Sequence, residues 1–158
     1  MNPLLKGEFY MIALASDHVA IGLKHAIMEL LDQKGLSYHD YGTYDAQRCD
    51  YPVYGYAAAK AVASGECDRG IILCGTGVGI SLSANKVHGI RCVVCSDPYS
   101  AKLSREHNDT NMLAMGARVV GEELAKMIAC IWLDTPFEGG RHQRRIDMIS
   151  QIEQTQQL

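Results

Sequence analysis

The stretch Gly70-Ile71-Ile72-Leu73-Cys74-Gly75-Thr76-Gly77-Val78-Gly79 decides the fold. Its first half is apolar at consecutive positions, the pattern of a strand buried on both faces, as in a parallel sheet. Its second half alternates glycine with other residues and leads into a helical stretch near Ile80–Lys86. A buried strand, a glycine turn and a helix together open a βαβ unit.

The same alternation continues in both directions. Upstream, Met11–Ala15 reads as a strand, and Val19–Lys34 as a helix with Ala20, Leu23, Ile27, Leu30 and Leu31 on one face and Gly35 as its stop. A short strand near Ser37–Tyr41 follows. Pro52 then suits the first turn of a helix reaching about Ser64. Downstream come a strand at Ile90–Cys95, a helix at Tyr99–Glu106 and a strand at Asn111–Met115. Two helices close the chain, Gly121–Leu133 with the single Trp132, and Arg141–Gln154. Five strands interleaved with helices predict one α/β domain over residues 1–158, a mainly parallel five-stranded sheet covered on both faces. No linker, repeat or low-complexity segment interrupts it.

Composition narrows the function. Hydrophobic residues make up 47% and charged residues 21%, values of a globular chain, and the net charge of -3 argues against nucleic-acid binding. The apolar run Met11–Ala15 is too short to span a membrane, and the N-terminus lacks a signal-peptide plan, so a cytoplasmic protein is expected. Six cysteines in such a compartment are mostly free thiols. Cys92 and Cys95 have CxxC spacing, but on a strand positions i and i+3 face opposite ways, which favours core packing over chelation.

In open parallel sheets ligands bind at the carboxyl ends of the strands. That rule singles out Asp17-His18, Cys74–Gly79 and Ser96-Asp97. The loop Gly75, Thr76, Gly77, Val78 and Gly79 could hold a phosphate or a developing oxyanion on its amides, or could be a plain tight turn. It lacks the Gly-Lys-Ser/Thr of a Walker loop and the third glycine of GxGxxG, although Asp97 keeps a dinucleotide reading open. Cys74 at the helix start could be a thiolate base, a nucleophile or a packed small hydrophobe. Asp17 could handle a proton or cap a helix. His107 and Asn108 end the helix after the fourth strand. Arg141 and Arg145, one turn apart, could clamp one phosphate or form a solvated face. No His/Asp/Glu set has metal-ligand spacing that stands out.

Several strings, in order, carry a resemblance: Ser16-Asp-His-Val-Ala20, Cys74-Gly-Thr-Gly-Val-Gly-Ile80, Ala84-Asn-Lys86, Arg91-Cys-Val-Val-Cys-Ser96, His107-Asn-Asp-Thr-Asn111 and Glu138-Gly-Gly-Arg-His142. Over roughly Met11–Gln154 the chain resembles the type B ribose-5-phosphate isomerase family, which also includes galactose-6-phosphate and allose-6-phosphate isomerases; Met1–Tyr10 is an N-terminal extension. The resemblance implies a Rossmann-like three-layer α/β/α sandwich. It implies aldose–ketose isomerisation through an enediolate, with no metal and no cofactor, and a homodimer or dimer of dimers with composite sites. By matching motif, Cys74 is the expected base, aided by Thr76 and the amides of Gly75–Gly79. Asp17 and His107 are expected to open the sugar ring. His18, Arg118, Arg141 and Arg145 are expected to hold the phosphate, Asn108 the sugar, and Tyr51 to line the pocket. His107, Asn108 and Arg118 are expected from the partner chain. A six-carbon sugar phosphate, or a sugar-phosphate-binding module without catalysis, are the alternatives to ribose 5-phosphate turnover.

Overall fold

The computed structural model describes residues 10–158; of the expected N-terminal extension, residues 1–9 lie outside the described residues. Five strands form one sheet: β1 (Met11–Ser16), β2 (Ser37–Asp40), β3 (Arg69–Cys74), β4 (Cys92–Val94) and β5 (Met112–Gly116). Every pairing is parallel, in the order β2-β1-β3-β5-β4. The helices are α1 (Ile21–Lys34), α2 (Tyr51–Ala63), α3 (Val78–Ala84), α4 (Pro98–Asn108), α5 (Glu122–Asp134) and α6 (Arg141–Thr155). The expected α/β class and parallel five-stranded sheet are what the chain forms.

Strand alternation sorts the core into two clusters. Ile12, Leu14, Ile71, Leu73, Leu113 and Met115 point to one face, where α1 and α5 cover them with Ile27, Leu31, Ile128 and Trp132. Ala13, Ala15, Ile72, Cys74, Met112 and Ala114 point to the other, under Ala58, Ala59 and Val62 of α2 and Ile80 of α3. The second face is built from small residues, so its helices approach closely: a Cβ on Gly55 of α2 would lie 2.8 Å from Ile80 Cγ1. Cys92 and Cys95 divide between the two clusters, as strand geometry requires. Burial raises both thiol pKa values, that of Cys95 to about 12, which keeps both sulfurs protonated and suits packing rather than metal binding.

Element boundaries differ from the sequence reading by a few residues at most. Helix α3 lies two residues earlier than expected at both ends, β4 loses three residues of the expected strand, and α1 starts at Ile21 rather than Val19. The Asp17 carboxylate accepts from Val19 N–H at 2.9 Å and folds residues 17–20 into a turn before the helix, so Asp17 is not the helix cap. Strand β4 is only three residues long because it lies at the sheet edge, with β5 as its single partner. Lys24 is buried inside the expected apolar stripe of α1. Its ammonium meets Asp40 at 2.7 Å and donates to the Thr43 carbonyl at 2.6 Å, a pairing across sixteen residues that helical periodicity does not reveal.

The glycine loop after β3 is wedged against the end of β5. Gly77 has φ +80°, a left-handed conformation that favours glycine, and a Cβ there would sit 2.9 Å from the Met115 carbonyl carbon. A Cβ on Gly116 would lie 2.6 Å from the Thr76 backbone, which has no flexible end to move aside. We predict that Gly116→Ala costs about 1–3 kcal/mol through overpacking. A lowered urea midpoint measures this; an unchanged midpoint would mean that the loop does not rest on β5.

Candidate active site

The carboxyl ends of β1 and β3 meet side by side. Asp17 N–H donates to the Leu73 carbonyl at 3.0 Å and ties the two strand ends together. Cys74, the last residue of β3, is 4% exposed, and its sulfur accepts the Gly77 N–H at 3.1 Å. The thiol therefore faces an amide of the loop that follows it. Thr76 Oγ1 accepts from Val78 N–H at 3.3 Å, closing the loop on itself at the start of α3. Tyr51, the first residue of α2, lays its ring over the loop, since a Cβ on Gly79 would fall 2.5 Å from Tyr51 Cζ. His18 Nδ1 accepts the Cys49 N–H at 3.3 Å, an assignment that leaves Nε2 as the donor of a neutral ring.

Arg118 belongs to this same group. Its N–H donates to the Gly75 carbonyl at 3.0 Å, and its side chain runs past Gly75. The expectation joined Arg118 to His107 and Asn108 on the opposite half, and the structure corrects it. Arg118 stands two residues beyond β5, and a parallel strand next to β3 ends at the same edge.

His107 and Asn108 lie at the other end of the sheet. Helix α4 leaves the carboxyl end of β4 and runs back through 11 residues, about 16 Å at 1.5 Å each. Arg91, just before β4, donates to the Asn108 carbonyl at 3.0 Å and to the Asp109 carbonyl at 2.8 Å, which fixes that helix end at the amino edge. The segment before α6 docks there too, through Glu138 N–H on the Glu106 carbonyl at 3.1 Å. Its consequence is a parallel stack of two imidazoles, His107 on His142, with centroids 4.2 Å apart and planes 8° apart. Arg141 adjoins this stack and Arg145 follows one turn later on α6.

The expected site residues thus fall into two groups in one chain. Asp17, His18, Tyr51, Cys74–Gly79 and Arg118 share the carboxyl edge. His107, Asn108, Arg141 and Arg145 share the amino edge. Sequence reasoning gave His142 and Glu138 no role. Both belong to the string Glu138-Gly-Gly-Arg-His142 that carries the family resemblance, but Glu138 precedes α6, so no helical spacing pointed to their pairing. His107, Glu138 and His142 bring potential ligand atoms within 4.8 Å of one another. However, stacked rings keep their in-plane lone pairs in separate, nearly parallel planes, which does not match the convergence a tetrahedral ion requires.

His142 is buried, with Nε2 3.5 Å from Glu138. Burial, then the neighbouring His107 and Arg141, lower its pKa below the ordinary 6.5, while Glu138 opposes them. A depressed pKa means that the folded chain binds this proton less readily than the unfolded chain. Its contribution to stability is complete above about pH 6.5 and is lost as pH falls through the lower folded value. We expect His142→Phe to flatten the fall in urea midpoint between about pH 7.5 and pH 5.5. An equally steep fall in the variant would assign the acid sensitivity to other groups.

The fold is shared with known proteins. The family model for Ribose/Galactose Isomerase matches residues 12–149. The ribose-5-phosphate isomerase B of Escherichia coli is 59% identical over 143 residues, covering 90% of this chain and 96% of that protein. The D-erythrulose-4-phosphate isomerase of Pectobacterium atrosepticum is 46% identical over 144 residues, covering 90% and 94%. The solved ribose-5-phosphate isomerase B of Clostridium thermocellum superposes with a TM-score of 0.91 at 50% identity, over 93% of this chain and 99% of that one. The chain belongs to the ribose/galactose isomerase family, whose members here are enzymes acting on sugar phosphates. Among the described residues no helix is long and apolar enough to cross a membrane.

Proposed function

We propose that the chain interconverts ribose 5-phosphate and ribulose 5-phosphate through an enediolate, with Cys74 as the base that moves the proton between C2 and C1. The observation that carries this reading is a buried thiol at the end of β3, facing a loop amide, in a chain 59% identical to a ribose-5-phosphate isomerase B. A thiolate there would find a donor already in place, and the amides of Gly75–Gly79 would offset charge on the enediolate oxygen. Thr76 supports the transfer by hydrogen bonding. Opening the furanose requires one group to take the anomeric hydroxyl proton and another to protonate the ring oxygen; Asp17 and His107 form that pair. His18, Arg118, Arg141 and Arg145 hold the phosphate, Asn108 contacts the sugar, and Tyr51 walls the pocket. The step requires neither metal nor cofactor. The six free thiols suit a reducing, cytoplasmic setting.

Incubation with ribose 5-phosphate and EDTA, followed by assay of ribulose 5-phosphate, tests the reading. Turnover is expected. Cys74→Ala should cut kcat by about two to four orders of magnitude while sugar-phosphate binding persists. Near wild-type kcat in Cys74→Ala would remove the base assignment. Turnover of a four- or six-carbon sugar phosphate in place of ribose 5-phosphate would replace the substrate.

The reading also needs two copies of the chain. Cys74 and His107 sit at opposite edges of one sheet, so a working site needs His107, Asn108 and the Arg141–Arg145 pair from a partner in an isologous dimer, or in a dimer of dimers. Cys74→Ala and His107→Ala, each nearly inactive, should regain activity when mixed under subunit exchange. A heterodimer concentrates both lesions in one site and leaves the other intact. Confirmed exchange with no recovery would eliminate the composite site.

A further inference from the structure

The stack of His107 on His142 has no explanation in stability alone. His142 is 4% exposed, and its Nδ1 is buried without a hydrogen-bond partner among the described residues. A buried polar nitrogen left unpaired destabilises a fold, and a phenyl ring of similar outline would avoid that cost. Only one edge of the ring is engaged: Nε2 lies 3.5 Å from Glu138 Oε2 and 3.4 Å from Arg141 Nε. One face carries His107, within 8° of parallel. His107 is only partly buried and closes a helix, where its side chain would otherwise turn freely about χ1 and χ2.

We propose that His142 is a positioning residue: its buried ring is the platform that fixes the plane of His107, so that His107 meets the sugar ring oxygen in the orientation required for ring opening. This rests on the reading of His107 given under Proposed function. His142 touches no substrate. It acts by holding a flat surface against His107, with its own ring held by burial at the start of α6 where α6 packs on α4. The charged or titratable groups facing it are His107 from α4, Glu138 from the preceding segment, and Arg141 and Arg145 from α6. Because stacking rather than hydrogen bonding joins the rings, a phenyl ring should replace the imidazole in this role, whereas alanine should not.

The test separates ring opening from proton transfer at carbon. In Cys74→Ala the C2 proton cannot move, but ring opening and closing still exchange the α and β furanose forms of ribose 5-phosphate. Exchange NMR reads that rate directly. Adding His142→Ala should lower enzyme-catalysed anomer exchange about 10- to 100-fold, the scale of a misoriented catalytic group. Adding His142→Phe should keep it within about threefold. In the otherwise wild-type chain, kcat/KM for ribose 5-phosphate should follow the same order. Anomer exchange unchanged in His142→Ala overturns the proposal. So does His142→Phe falling as far as His142→Ala while both remain folded and dimeric. If His142→Ala does not fold, the Phe variant decides: retention supports the platform and loss refutes it. A Cys74→Ala protein whose anomer exchange is absent, or survives His107→Ala, overturns the role of His107 in ring opening, and the platform role of His142 with it.

Discussion

The site depends on one steric constraint, the contact of the glycine loop with the end of β5. Two backbones approach there without side chains between them: Gly77 on Met115, and Gly116 on Thr76. That contact turns the chain sharply after Cys74 and brings the Gly77 amide back onto the sulfur. The position of Arg118 follows from it, because Ala117 and Arg118 donate their amides to the carbonyls of Cys74 and Gly75. A larger residue at either glycine would open the loop and move the amide, the thiol neighbourhood and the guanidinium together. Three groups of the candidate site are thus set by one contact between backbones.

The second determinant is topological. A crossover helix returns the chain to the amino edge of a parallel sheet before the next strand, so anything at the carboxyl end of such a helix lies about a full strand length from the carboxyl ends of the strands. His107 and Asn108 are at a helix end; Cys74 and Asp17 are at or just past strand ends. No loop rearrangement within one chain spans that separation while α4 remains a helix. The joined site proposed here is therefore a consequence of placing reactive groups on both edges of one sheet.

Much of the fold was legible because parallel strands and amphipathic helices leave periodic patterns. The run Gly70–Cys74, the Pro52 helix start and the Gly35 stop all mark features of the folded chain. The carboxyl-edge half of the site was also legible, since a cysteine before a glycine loop at a helix start is informative within ten residues. The amino-edge half was not. The His107–His142 stack joins positions 35 apart in sequence, through a docking event between α4 and the segment before α6 that no local pattern records. The contact of Arg118 with Gly75 was missed for a related reason. It depends on β5 pairing with β3, with β4 outside, and strand order is a long-range property. Lys24 was hidden differently, because it occupies a buried helical position whose partner, Asp40, lies on another strand.

The composite site proposed above would make a particular demand on each half: to hold its shape before a partner arrives. The amino-edge half meets this through a buried polar network beneath α4. Trp132 donates its indole N–H to Thr110 Oγ1 at 2.9 Å, and Thr110 pairs with Ser104 at 3.0 Å. Arg105 binds the Thr110 carbonyl and meets Asp109 at 2.8 Å. The Arg105 and Arg69 guanidiniums both lie within 6 Å of the Trp132 ring centroid, at 5.9 and 5.4 Å. Asp109 is held at φ +43°, a left-handed turn that ends α4 directly after His107 and Asn108. Such a turn is unfavourable for a residue other than glycine, and the ion pairs of Asp109 with Arg105 and Arg91 offset that cost. Buried polar groups have few alternative arrangements once each is satisfied, so this network specifies the end of α4 more sharply than apolar packing would. The end of α4 that carries His107 and Asn108 is therefore fixed from below by Trp132, Thr110, Ser104 and Arg105, all buried within the chain.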